Sequence, residues 1–135
     1  MGMQDYNAAV IEEFRANHGK VAAFGDAPVV LVSMTGAKSG AQRVKPLVAL
    51  LDDGRIYVIA SKGGSPRNPD WYYNLVAHPD VEVELGDERF GAVAVPVTGP
   101  ERDRLYALQA SRQPAFAEYA QKAGRVIPVV ELRPA

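Results

Sequence analysis

IASKGGSPRNPDWYYNLVAHPDVEV, residues 59–83, decides how the rest of the chain is read. It opens as the end of an apolar strand, runs into Ser61-Lys62-Gly63-Gly64, and reaches Trp71, the only tryptophan, beside Tyr72 and Tyr73. Asn68 as cap, Pro69 at the first helical position, Trp71, Leu75 and Val76 at helical spacing, and His78-Pro79 as a stop predict a helix over 69–78. Val81 and Val83 then resume strand alternation. A helix thus interrupts a β-rich chain once, just after glycines that let the backbone come close to a ligand.

Working outward, PVVLVSM (28–34), RVKPLVALL (43–51), RIYVIAS (55–61), VEVEL (81–85) and RFGAVAVPV (89–97) are β-rich runs. TGAKSGAQ, DDG and GDE separate them with the turn chemistry of antiparallel hairpins. A sixth run, RVIPVVEL (125–132), carries Pro128, which argues for an edge or irregular position. Residues 4–18 place Tyr6, Val10, Ile11 and Phe14 at amphipathic-helix spacing. Leu105 and Leu108 in 99–113, and Phe116 and Tyr119 in 114–124, predict a helical hairpin. Six strands without the intervening helices of a parallel sheet, in 135 residues, predict one domain over 1–135. Its class is mainly β (α+β), a small six-stranded antiparallel barrel with peripheral helices.

Composition narrows the function. With 47% hydrophobic and 23% charged residues the chain reads as globular. It has no cysteine, which excludes disulfides, a thiolate nucleophile, iron–sulfur clusters and cysteine-ligated zinc, so redox chemistry requires a bound cofactor. His18 and His78 lack metal-ligand spacing and stand at helix ends, so capping is their expected role and no metal site is expected. No apolar run approaches the ~20 residues of a membrane span, and the amino terminus starts acidic rather than basic. A cytoplasmic protein with no transmembrane segment is expected.

Charge is uneven. Residues 36–67 hold Lys38, Arg43, Lys45, Arg55, Lys62 and Arg67 against Asp52 and Asp53, a local +4, so the other segments sum to −5 to give the net −1. That pattern argues against a polyanion-binding surface and a nucleic-acid partner, and for a confined anion site. TGAKSG (35–40) lacks the Walker spacing and the following helix. It reads either as a glycine-rich hairpin turn or as a turn whose amides, with Lys38, Ser39 and Arg43, cradle a phosphate or carboxylate. Asp52-Asp53-Gly54 reads as a hairpin turn rather than a carboxylate pair. Trp71 is either a core anchor or a flat wall for a ring system, and Tyr72 and Tyr73 cannot both share its face. No nucleophile elbow with a Ser-His-Asp order is visible.

Four blocks together, TGAKSGAQRVKPL (35–47), IASKGGSPRNPDWYYNL (59–75), HPDVEVE (78–84) and RVIPVVEL (125–132), resemble the deazaflavin-dependent nitroreductase family, whose members use coenzyme F420. The blocks keep the family's order over about 100 residues. The resemblance implies a split β-barrel akin to FMN-binding barrels, with the deazaflavin ring in a groove and its anionic tail on basic residues. It puts tail and phosphate contacts on Ala37, Lys38, Ser39 and Arg43, and ring contacts on Val44, Lys45, Pro46, Leu47 and Val48. Ile59, Ala60, Ser61 and Lys62 would follow the ring and its hydroxylated chain, and Asp70, Trp71, Tyr72, Tyr73 and Asn74 would close the pocket.

The implied chemistry is hydride transfer from reduced F420 to a quinone, a nitroaromatic, or the activated double bond of an enone or lactone. Ser61, through its hydroxyl or backbone, is the candidate for stabilising developing negative charge, with a water-mediated proton as the alternative. On the acceptor side, Val48, Gln113 and Phe116 stand where the best-known branch has tyrosines. Tyr119 is kept as a candidate catalytic group, and Ala37 replaces a common arginine. The acceptor pocket is therefore expected to be apolar. With about 28 residues before the first core strand, the longer amphipathic segment that some relatives use for membrane association is expected to be absent, and peripheral membrane contact is not indicated. The competing readings are an F420-binding or storage protein without turnover, an FMN- or haem-binding barrel, and a homodimer that builds its pocket from both chains.

Overall fold

The computed structural model describes residues 3–135, with side chains from residue 7 onward. Six strands, β1 (Val29–Thr35), β2 (Gln42–Asp52), β3 (Arg55–Ile59), β4 (Asp80–Leu85), β5 (Glu88–Val97) and β6 (Val129–Pro134), form a closed antiparallel barrel in the order β1-β2-β3-β6-β5-β4. Four helices accompany it: α1 (Met3–Ala16), α2 (Asp70–Ala77), α3 (Gly99–Arg112) and α4 (Ala115–Ala123). The six-stranded barrel with peripheral helices is thus the expected fold.

Strand alternation sorts the apolar residues into layers. From β1, Val30, Val32 and Met34 join Ala49, Val58, Val83 and Leu132 in one core. The alternate residues Val29 and Leu31 pack with Val10, Phe14 and Val21 against α1. Tyr6, expected on the same helical stripe, has its side chain outside the described residues. A third cluster packs Leu50, Tyr57 and Ile59 against Leu105 and Tyr106 of α3 and Ala123 of α4. Asp53 and Gly54 adopt φ of 51° and 72°, the two positive values a type I′ turn needs, so DDG is a turn as expected.

Two expectations need correction. Helix α2 begins at Asp70, with Pro69 outside it at the cap position, while the Asn68 side chain is taken up by Arg125. Strand β6 is no edge: it pairs with β3 on one side and β5 on the other. Pro128 lies just before it, so its missing N–H costs the ladder nothing, and its carbonyl accepts from the Ala60 N–H at 3.0 Å. His18 takes a left-handed φ of 57° after α1 and approaches Asp87 Oδ1 at 2.7 Å, and His78 caps α2 through its backbone N–H. No helix among the described residues is long and apolar enough to cross a membrane.

α1 is also tied to the barrel by charge. Arg15 donates from Nε and Nη2 to the Glu84 carboxylate at 3.1 and 2.8 Å. Glu84 is buried, and its bonds from Arg15 hold its carboxyl below the ordinary value of 4.5. A depressed folded pKa contributes stability that is present above the unfolded value and lost as pH falls through the folded one. Arg15→Gln is expected to lower Tm at neutral pH, and the loss should fade as the pH falls through the depressed titration of Glu84. Melts of both proteins from neutral to acid pH check this; a pH-independent difference would assign Arg15 a packing role only.

Candidate cofactor and acceptor groove

Between the outer face of the barrel and α4 lies a groove of about 280 Å³, lined by Pro46, Leu47, Val48, Ile59, Ser61, Lys62, Gly63, Trp71, Gln113, Phe116 and Tyr119. β2 and β3 supply its floor, the segment after β3 one rim, α2 the tryptophan, and the α3–α4 junction the opposite wall. Phe116 and Tyr119 meet edge to face at 5.1 Å, and Phe116 meets Tyr106 the same way at 6.4 Å. The Tyr106 hydroxyl donates to the Phe116 carbonyl at 2.6 Å. Burial raises the Tyr106 phenol, which keeps it a donor and fixes the first turn of α4. Among the described residues no carboxylate lines the groove, and Lys62 is the charged residue in its wall.

The rim segment is conformationally unusual. Lys62, Gly63 and Gly64 take positive φ of 47°, 62° and 83° in succession. For lysine this region is sparsely populated, and such residues cluster where a ligand is held. Ser61 precedes them in a right-handed conformation (φ −75°, ψ −36°); its N–H donates to Ile59 O, and those of Gly64 and Ser65 donate to Ser61 O and Lys62 O, so the segment's remaining backbone donors are those of Lys62 and Gly63.

The loop between β1 and β2 forms the other donor cluster. The Ser39 hydroxyl accepts from the Ala41 N–H at 3.1 Å, which leaves its own proton to donate. A Cβ built on Gly36 would meet Ser39 Oγ at 2.8 Å and Arg43 Nε at 3.3 Å, so both side chains fold over that glycine. The expectation of outward-pointing loop amides needs correction. Gly36 N–H donates to Ala41 O, Gly40 N–H to Gly36 O, and Ala37 N–H to Asn74 Oδ1 at 2.9 Å. Side chains, more than amides, are what this loop offers a ligand.

All four acceptor-side residues, Val48, Gln113, Phe116 and Tyr119, line the groove together with Pro46, Leu47, Ile59, Ser61, Lys62 and Trp71. Others on the expected list do not. Val44 shares the outward face with Pro46 and Val48, but the α1 cluster covers it. Ala60 is fully buried. Tyr72 packs on the barrel core, Tyr73 is half exposed, and Asp70 is exposed in the first turn of α2. Ala37, Lys38, Ser39, Arg43 and Lys45 stay outside the lining. Arg55 faces a separate cleft with Leu85, Glu88 and Phe90, so the basic window divides between two places.

Asn74 is a buried staple, donating to Met34 Sδ at 3.6 Å while holding the Ala37 amide. Asn74→Ala strands that amide and is expected to cost about 1–3 kcal/mol of stability, with denaturant unfolding as the measurement. A near-neutral change would mean that water replaces the bond. Arg125 is not among the expected residues, whereas Gly63 and Gly64 are expected to let the backbone approach a ligand. The glycine pair was itself a visible signal, whereas Arg125 stood disguised as the first residue of a strand.

An aromatic-walled groove beside a small antiparallel barrel, flanked by donor-rich loops, is the kind of site that holds a flat anionic redox cofactor. The family model for F420H(2)-dependent quinone reductases matches residues 7–134. The chain belongs to that family. It is an F420-dependent reductase, and coenzyme F420 is its cofactor. An F420H(2)-dependent quinone reductase of Mycobacterium tuberculosis strain H37Rv is 40% identical over 111 residues, covering 80% of this chain and 74% of that protein. A solved F420-H2-dependent reductase superposes with a TM-score of 0.71 at 40% identity, covering 78% of this chain and 94% of its own. A second solved relative, a domain-swapped dimer, gives 0.73 at 35% identity, with 98% and 100% covered. The residues fit the cofactor: apolar and aromatic walls suit a planar ring, while Lys62 at the rim, with Lys38 and Arg43, suits phosphate and carboxylates.

Proposed function

We propose that this chain reduces a small, planar, electron-poor acceptor, with quinones first, then nitroaromatics and the activated C=C of enones or lactones. The observation that carries this reading is the convergence of expected cofactor-side and acceptor-side residues on one groove, lined by no carboxylate among the described residues. Reduced F420 supplies the hydride. The protein's part is to bind and orient: Val48, Ile59 and Trp71 confine a ring, Lys62 and Gly63 offer the rim to anionic groups, and Phe116 and Tyr119 wall the acceptor side. Their aromatic faces exclude water and hold acceptor and donor in one geometry.

Ser61 is buried and lines the groove, which supports the reading that its hydroxyl donates to negative charge developing on the acceptor. Ser61→Ala is expected to lower kcat by about tenfold or more while leaving F420 affinity within about twofold. Equal losses in both would make Ser61 a binding residue only.

The test of the function is direct. Trp71, the only tryptophan, lines the groove, so its quenching reports occupancy. Titration with F420 and, separately, FMN should show the deazaflavin bound far more tightly, and reduced F420 should then be oxidised in the presence of menadione. Tight binding without oxidation across quinone, nitroaromatic and enone panels would favour a carrier without turnover, the reading suggested by Val48, Gln113 and Phe116, which bring no phenol to the acceptor side. The domain-swapped relative supports a homodimer for this chain, which light scattering reads.

A further inference from the structure

We propose that Arg125 is the positioning residue of the cofactor rim, acting through the backbone of residues 60–68. The inference rests on the reading that this rim holds F420. Gly124 ends α4 in a left-handed turn (φ 63°, ψ 24°) and so directs the next side chain back across the rim. The Arg125 guanidinium is partly buried there. Its Nε donates to Ser65 O at 3.0 Å, and Nη1 donates to Asn68 Oδ1 at 2.5 Å. Nη2 is shared among Ala60 O, Ser61 O and Arg67 O at 3.1, 3.3 and 3.0 Å. One planar fork therefore gathers acceptors spread over nine residues of chain.

What the fork fixes is a conformation the chain would not keep unaided. Three consecutive positive φ values, one of them on a lysine, persist only where the surroundings over-determine them. α4 presses on one side, where Gly64 meets Tyr119, and Arg125 holds the carbonyls on the other. A planar trans peptide points its C=O and N–H in opposite directions. The Ser61 carbonyl is held jointly by Arg125 at 3.3 Å and the Gly64 N–H at 3.0 Å, which sends the Lys62 N–H the other way, in the part of the rim where Ser61, Lys62 and Gly63 line the groove. Arg125 does not line the groove; it aims the groups that do. Lysine offers three donors from a single point and cannot reproduce a fork that spans Ser65 and Asn68.

The experiment compares F420 affinity of the wild type, Arg125→Lys and Arg125→Ala by fluorescence polarisation, well below each protein's Tm. Both variants are expected to bind at least tenfold more weakly. Guanidinium ion at low millimolar concentration should restore most of the affinity of Arg125→Ala, whereas sodium at equal ionic strength should not. Should Arg125→Ala fail to fold, Arg125→Lys alone decides. A folded variant with wild-type affinity, or a weakened one that guanidinium does not rescue, overturns the inference, because a residue that only stabilises the fold lowers Tm and leaves affinity intact. Failure of the wild type itself to bind F420 would instead remove the cofactor reading, and this inference with it.

Discussion

Gly64→Ala is expected to destabilise the protein by about 2–3 kcal/mol, combining backbone strain with overpacking, and to weaken F420 binding along with it. Gly64 holds φ +83°, and a Cβ there would meet Tyr119 Cα at 3.1 Å and Lys122 Cδ and Cβ at 3.2 and 3.3 Å. The lysine stem can move; the Tyr119 backbone, inside α4, cannot move without shifting the aromatic wall of the groove. Gly63→Ala is the matched control, because Gly63 has a similar positive φ of 62° but nothing within 4 Å of its Cβ position. That variant should lose only the conformational part, about 1 kcal/mol. Denaturant unfolding of the pair separates the two contributions. Equal costs would show that α4 yields to the added methyl, and the rim would then be less tightly seated than its geometry indicates.

The second large effect concerns affinity alone. If both residues hold the anionic tail, replacing Lys38 and Arg43 together by alanine is expected to weaken F420 binding by about tenfold or more at low ionic strength, through the loss of charge-assisted contacts. Both residues are exposed, so the folded state should lose little stability. Screening sets a second requirement: at about 1 M salt the Debye length shrinks to about 3 Å, and wild type and double variant should converge. Arg55→Ala belongs in the same series as the counter-case. It carries the same charge in the same stretch of sequence but faces another cleft, so its removal should leave affinity unchanged. An undisturbed Kd in the double variant would place the tail elsewhere.

The sequence made the strands legible because their signals are local. β-branched runs bounded by Asp-Gly and Gly-Asp turns locate five strands to within a residue or two, and the absence of crossover helices leaves antiparallel pairing as the economical topology. Most of the groove was legible too, through the likeness of four short blocks to a known family. What escaped depends on tertiary context. Val44 has the right alternation for the groove, and only the docking of α1 removes it. Asn74 sits one helical turn from Trp71, yet its side chain is turned inward to hold the Ala37 amide. Arg125 reads as an ordinary charge ahead of an apolar strand, and nothing local reveals that Gly124 turns it toward a loop about 60 residues earlier in the chain. Pro128 misled for a related reason: its rule concerns residues within a ladder, and β6 starts one position later.

The barrel's strand order carries a consequence in time. β6, the last strand in sequence, fits between β3 and β5, whose nearest residues to it along the chain are about 70 and 32 positions earlier. During synthesis, therefore, β3 and β5 both wait with an unpaired edge while two helices are made, and exposed edges are the places where chains pair with one another. The six residues of β6 must also overcome the closure entropy of those long loops, which is expected to slow their pairing relative to the local hairpins. A nascent chain halted before residue 129 would hold an open, adhesive sheet, and a chain released past residue 134 would seal it.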